Sequence, residues 1–539
     1  MSMKKGMLLV FIAGALITGV FAGGAGQKST PAPVAPGNVQ TGQAGPVTYP
    51  VPGRPKITIA RTVDTDLVPG GFTSYNDTPG MKELMRQTGI DAEFIELVDN
   101  NAFLVYLAGG NLPDVIYGTK AFYPGGEVKM HTDGLAQNLT ALLPQYAPDY
   151  WKFINSDDVY YKDIREPDGQ YYYFAGYFRV PESLNASWIG LITRQEFLDK
   201  LKMAPPETAD ELYQYLLRCK NELGIKTPFM SNKGRFDTIF TGGSLTSPFG
   251  LPKTDTYQIN GKVHFGAYEP QYKDVLAYFN KLYREGLLDN NFAVTDEPTT
   301  FASVLGGNTA LLFDAVSRIQ VLVASANSAP DFNLTALPSM SRVKGERPMY
   351  SYADDPFTQG QCAFLPETCR DPVNVLKFFN YAFTEKGNTL VNFGIEGTTY
   401  NNINGRPVFT DFVLNNPNGY TLDGILRSYA ILNWPILQDE WMTRQRFPLK
   451  SQVDAMEKWS NSDISKYRII NNSILENYID EYAALVTDIN TFITESRAQF
   501  ISGALPIDRF ETYYIPALKQ MGMDRLLEIL QLSYDAYNK

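Results

Sequence analysis

Between Lys56 and Tyr117 the chain switches repeatedly between two periodicities at short spacing, and this rhythm limits the fold more than any other feature. Lys56 to Ala60 (KITIA) alternates and is β-rich, as a half-buried strand requires. Thr78 to Thr88 (TPGMKELMRQT) predicts a short helix, with Thr78 as N-cap, Pro79 at the first helical position and Gly89 as the stop. Asp91 to Ile95 (DAEFI) predicts a second strand, Phe103 to Ala108 a second helix ended by Gly109 and Gly110, and Asp114 to Tyr117 (DVIY) a third strand. Strand, helix, strand, helix, strand with such short connections predicts a parallel α/β sheet.

The rhythm recurs. Trp188 to Thr193 predicts a strand, and Thr208 caps a helix that Gly224 ends. Tyr272 to Glu285 is amphipathic; Thr309 to Phe313 and Cys362 to Leu365 predict strands, the latter before a helix from Pro372 to Phe383. From Ile464 the pattern is helical almost to the end. A chain of 539 residues has room for about three domains or two large lobes, and no repeat of 20–50 residues divides it.

Composition removes several functions. Asp plus Glu outnumber Lys plus Arg by 58 to 47, with no basic stripe to follow phosphates, so nucleic acid is excluded as a partner. Only His131 and His264, and Cys219, Cys362 and Cys369, are available, too few for His- or Cys-rich metal sites and few for a catalytic triad. No cofactor is expected. Asp157, Asp158 and the stretch Asp163 to Asp168 lack the calcium-loop spacing. Aromatic residues make up 13%, enough to supply both core and stacking surfaces for apolar ligand faces.

Lys4 and Lys5 precede an apolar run from Met7 to Ala22, followed by small residues. This predicts a cleavable export signal over residues 1–22, cut after Ala22 or after Ala25. Loss of the two lysines takes the formal charge from −11 to −13. A lipid-bearing cysteine at the cut is absent, the first cysteine being Cys219, so the expectation is an unlipidated periplasmic protein. Residues 23–55 hold 14 Gly or Pro and no acid, and predict a flexible linker without a fold of its own.

Seven segments in order resemble one family: YLAGGNLPDVI (Tyr106–Ile116), DGQYYYFAGY (Asp168–Tyr177), WIGLITRQEFLDKL (Trp188–Leu201), TADELYQYL (Thr208–Leu216), KLYREGLLDNNF (Lys281–Phe292), NFGIEGTTYNNINGRPVF (Asn392–Phe409) and the ending from Pro506 to Tyr537. The chain resembles the extracellular solute-binding proteins of the oligosaccharide-binding type, receptors of ABC importers, in their large lipoprotein-like branch. The missing lipid-attachment cysteine is the departure. The resemblance implies an α/β fold of two lobes with a hinge crossed several times and a ligand cleft between the lobes. It implies a first lobe of 56–178 plus 335–392 and a second of 179–334 plus 393–539. Crossings fall near Tyr177–Ser183, Leu334–Ser339 and Phe393–Gly397, with Gly394 and Gly397 as hinge residues. The implied function is capture of an oligosaccharide and its delivery by a monomer to a membrane permease, without catalysis.

Ligands of open α/β sheets sit beyond the carboxyl ends of strands. The loop after the first strand carries Asp64 and Asp66, carboxylates for vicinal sugar hydroxyls or members of a solvated loop. Thr119 follows the third strand, at the position of a ligand-contacting loop in the family. Trp188 offers a stacking face or fills core; Asp314, with Arg318 in the helix after it, faces the cleft or caps that helix. Tyr352, Asp354 and Asp355 belong to YSYADDPF, a dense cluster of rings and carboxylates that also suits a turn. Glu396 and Tyr400 lie in the GIEG segment, a site or a tight turn, and Trp434 is a second stacking candidate. Cys362 and Cys369 leave a disulfide open. The competing function is a secreted glycoside hydrolase, which needs two carboxylates about 5–10 Å apart across the scissile bond.

Overall fold

The computed structural model describes residues 45–118, 122–123, 126–166, 169–177, 187–326, 331–352, 357–416, 418–432, 434–470 and 473–538, with the backbone alone for 357–361. The expected signal, the linker as far as residue 44, Thr119, Asp354, Asp355 and residues 178–183 of the first crossing lie outside them. In chain order the strands are β1 (Lys56–Thr62), β2 (Asp91–Leu97), β3 (Val115–Gly118), β4 (Tyr173–Tyr177), β5 (Ile189–Arg194) and the hairpin β6 (Thr256–Ile259) and β7 (Lys262–Phe265). They continue as β8 (Leu311–Ala315), β9 (Leu334–Ala336), β10 (Phe357–Phe364) and the hairpin β11 (Tyr400–Ile403) and β12 (Arg406–Phe409).

The local signals act where the sequence puts them. Thr78 has extended backbone at the N-cap of the helix Pro79–Thr88. Gly89 closes that helix at φ 71°, its N–H donating to the Met85 carbonyl at 2.9 Å, a left-handed position that glycine takes without a Cβ penalty. The Thr208 hydroxyl caps the helix Ala209–Leu223 by accepting from the Glu211 N–H.

The first sheet has the order β2-β1-β3-β10-β4. β1 is parallel to both β2 and β3, as expected. β10 runs antiparallel to β3 and β4, so the sheet is mixed. The reason is topological: β4 leaves at the edge where β1 and β3 end, and the chain returns at that same edge, so β10 must run the other way.

β5 pairs antiparallel with β8 and β9 in a second sheet. Successive strand residues point to opposite faces. Leu191, Leu311 and Phe313 therefore enter one buried cluster with Phe279 and Phe500, while Ile192 and Leu312 enter another with Met456 and Trp459. Burial on both faces explains why WIGLIT and ALLF are almost continuously apolar.

Four differences from the sequence reading follow from packing. The linker is docked from Tyr49 onward: its hydroxyl donates to the Lys377 carbonyl at 2.6 Å, its ring meets Tyr381 at 4.8 Å, and the Val51 N–H donates to the Thr88 carbonyl at 2.7 Å. Two apolar anchors suffice there, and average composition hides them. Leu337 and Met340 pack in the second core, so the return to the first lies between Tyr352 and Phe357 and not at Leu334–Ser339. Ile431, Trp434 and Ile436 pack in the first core, and the helix Leu422–Tyr429 lies on the turn Thr65–Gly70. Phe393 and Tyr400 belong to one cluster with Leu426 and Met442, whereas Phe447 joins Trp459, so a passage falls between Met442 and Phe447 in place of Phe393–Gly397. Gly394 (φ 83°) is buried beside that cluster and Gly397 (φ 78°) is exposed, both in the turn between Phe393 and Tyr400.

Candidate functional site

β1 has parallel neighbours on both sides, so the connections leaving β1 and its neighbours open a crevice beyond their carboxyl ends. A cavity of about 490 Å³ occupies this place, lined by Arg61, Thr62, Asn100, Tyr117 and Phe122 among others. Val63 and Val98 also line it, and Val98 is 74% exposed, an apolar rim beside polar groups. That mixture suits a ligand with hydroxyls at its edges and C–H faces between them.

Behind the cavity lies a charged cluster. The buried Arg61 guanidinium sits 4.3 Å from the Tyr75 ring centre and 4.9 Å from that of Tyr117, and its Nε donates to the Thr62 carbonyl at 3.1 Å. Asp64 accepts from the Tyr75 hydroxyl at 2.8 Å, from Arg427 Nη1 at 3.1 Å and from the Asp66 N–H at 3.1 Å. Arg427 Nη2 reaches Asp66 at 2.9 Å. Burial would raise the Asp64 carboxyl, but Arg427 and Arg61, with the Tyr75 hydrogen bond, outweigh it and hold the group below the ordinary carboxylate value. Asp64 is thus an ionised anchor of its loop, and Asp66 is the exposed carboxylate of the pair.

Two residues of the helix Leu422–Tyr429 extend this cluster toward the second core. Asp423, one turn before Arg427, accepts from Arg446 Nε at 2.8 Å and Nη2 at 3.0 Å. The Arg446 guanidinium stands 5.8 Å from the Trp188 ring centre and 5.3 Å from Phe447. Trp188 is half-buried, 5.6 Å from Phe447, at the entry to β5. Asp64, Arg427, Asp423, Arg446 and Trp188 therefore form a continuous line.

On the second sheet, β8 ends at Ala315 opposite the start of β5, the edge at which the chain arrives from β4. Asp314 is 1% exposed there; it accepts from Arg235 Nε at 3.0 Å and from the Ala315 N–H at 2.7 Å. Burial raises its carboxyl in spite of that N–H and Arg235. Arg318 pairs with Glu297 at 3.1 Å. Arginines and carboxylates thus stand at the carboxyl ends of strands in both sheets.

Residues 77–389 match the family described as bacterial extracellular solute-binding protein. The chain belongs to that family. It is 23% identical over 487 residues to the lipoprotein LipO of Bacillus subtilis, covering 85% of this chain and 89% of that one. A fructooligosaccharide ABC transporter substrate-binding protein of Streptococcus pneumoniae is 25% identical over 232 residues, 39% of this chain and 41% of that one. Among solved structures, an alginate-binding protein superposes with a TM-score of 0.70 at 22% identity, covering 90% of this chain and 99% of the other. An HMO-binding solute-binding protein of Bifidobacterium longum infantis gives 0.71 at 19%, covering 90% and 100%. These structures share the fold, two-lobed and α/β.

Within this solute-binding chain the remaining candidates scatter. Trp434 is a correction: it is 0% exposed, stacked at 4.8 Å on Phe379 and 5.3 Å on Tyr117, so it is core and has no ring surface for a ligand. Tyr400 is buried against Phe393, and Glu396 is exposed in the turn before it. Tyr352 packs against the second core, its carbonyl accepting from the Ser187 hydroxyl. No disulfide joins Cys362 to Cys369. Among the described residues no cluster of three or more His, Cys, Asp or Glu is placed to hold a metal ion, and no helix is long and apolar enough to cross a membrane. Tyr75, Arg235, Asp423, Arg427 and Arg446 were not candidates; only their pairings, at separations from 11 to 363 residues, reveal them, and no local motif marks these.

Proposed function

We propose that this protein is the receptor of an ABC importer for an oligosaccharide, which it holds between its lobes and delivers to a membrane permease. The cavity beyond β1 and β3, with polar Arg61, Thr62 and Asn100 beside exposed Val98, carries this reading. The ligands named for similar proteins, a fructooligosaccharide and alginate, support the sugar class. The lobes are divided as the cores are: 49–177, 357–442 in the first and 187–352, 447–538 in the second. Asp66, Trp188, Arg318 and Arg235 are the proposed ligand-contacting set, joined by Thr119 from its place in the sequence after β3; the buried Asp314 holds Arg235, and Asp64 positions the first loop.

The protein acts without catalysis. A glycosidase needs one protonated carboxyl and one free carboxylate flanking the bond. Asp64 is engaged by two arginines and a tyrosine, which suits neither task. Export by the signal, a periplasmic place without a lipid and a monomeric state complete the proposal; the first cysteine, Cys219, lies far from any signal cleavage point.

The test is a thermal-shift screen with neutral and acidic oligosaccharides. A ligand at 100 times its dissociation constant stabilises by about 2.7 kcal/mol, a readable rise in melting temperature. Binding without release of new reducing ends supports the receptor. Release of reducing ends establishes the hydrolase instead, and silence across all glycans overturns the sugar reading.

A further inference from the structure

The helix Met523–Tyr537 belongs to the second core through Met523, Leu526, Ile529 and Leu530. Its last residue leaves that core. The Tyr537 hydroxyl donates to Glu166 Oε2 at 2.7 Å, with Tyr537 5% and Glu166 4% exposed. Glu166 sits in the turn just before β4, the edge strand of the first sheet, where the Glu166 N–H donates to the Gln170 carbonyl and the Gly169 N–H to the Glu166 carbonyl.

A second contact lies alongside. Ser473, from the second half of the chain, donates to Glu127 in the helix Gly126–Thr132. That helix is shared between the cores: Val128 packs on the second and Met130 is buried in the first. Both acids act on Tyr537 electrostatically. Burial, followed by Glu166 and Glu127, pushes the phenol far above its ordinary range, so it stays a donor at every working pH.

We propose that the last turn of the C-terminal helix is a latch: Tyr537 on Glu166, seconded by Ser473 on Glu127, limits how far the ligand-free protein opens. The chain passages between the cores are covalent and permit rotation; this link is non-covalent, and a rotation that separates the β4 edge from the C-terminal helix must break it. Breaking it loses a buried hydrogen bond to a carboxylate, which shifts an open–closed equilibrium by about tenfold. The inference rests on the two-lobed receptor reading, and is indifferent to which solute is bound.

The experiment uses the full-length, ligand-free protein and compares wild type with Tyr537→Phe, which removes one hydroxyl and leaves the ring in its pocket. Solution X-ray scattering should give a larger radius of gyration for the variant, and amide exchange in the turn 166–170 should quicken about tenfold. Ser473→Ala, which removes the donor of the other contact, should open the protein in the same direction and serves should Tyr537→Phe fail to fold. Unchanged scattering and unchanged exchange at 166–170 in a folded variant overturn the latch. Because no ligand is added, a failed glycan screen leaves this result intact, and a failed latch leaves the glycan reading intact.

Discussion

Arg427 Nη1 donates to Asp64 Oδ2 at 3.1 Å across 363 positions of the chain. The contact fixes the loop after β1 to a helix that the chain makes only after leaving and re-entering the first core. Both side chains are mostly buried, 15% and 7% exposed, so removing the arginine leaves Asp64 with less positive charge to offset its burial. Arg427→Met should cost about 3 kcal/mol in urea unfolding at pH 7. The pH dependence has a definite sign. Asp64 is held below 3.8 in the folded protein, so its contribution is complete above that value and is lost as pH falls through the lower folded value. In Arg427→Met the acid limb of the stability curve should move to higher pH; an unmoved limb argues that Arg61 alone holds the carboxylate.

The approach of Gly424 to Gly70 is what lets that helix come so near. A Cβ at Gly424 would fall on the backbone of Pro69 and Gly70. Gly424→Ala should cost about 1–3 kcal/mol and lift Arg427 from Asp64. Chemical denaturation and the acid limb measure the two effects separately, and an alanine that changes neither would disprove the close approach.

Trp434 behaves as core. Trp434→Ala should lose about 3–5 kcal/mol of stability, read from the denaturation midpoint. Any ligand that shifts the melting temperature of the wild type should shift that of Trp434→Phe by a similar amount. A loss of ligand response at preserved stability would return this tryptophan to the binding surface.

Burial pushes the Cys219 and Cys369 thiols up to about 12. At pH 8 the reactive thiolate is then a fraction of ~10⁻⁴. Iodoacetamide should label these two positions slowly in the native protein and rapidly in urea, as followed by mass spectrometry. Fast native labelling of Cys369 would place it in a more open environment.

The sequence was most legible where information is local. Strands at 56, 91 and 115 and the helices closed by Gly89 and Gly224 follow from periodicity and caps within a dozen residues. Direction and partnership were not legible. β10 carries no sign that it will insert between β3 and β4, and its antiparallel sense depends on where the chain returns. Trp434 looks alike as core or platform until Phe379 and Tyr117 are seen against it. Asp64 was found from its loop, but its partner Arg427 is an ordinary arginine on an ordinary helix.

The insertion of β10 has a consequence for biosynthesis. A nascent chain that ends before Phe357 has β3 and β4 with no strand to join them, and one that ends before Ile436 still lacks the side chains that close the first core. The N-terminal half cannot settle into its final form as it emerges, because the strand that joins β3 to β4 is made some 180 residues after β4. Such non-local pairing is slow. For a chain exported through the proposed signal, the delay would keep it threadable.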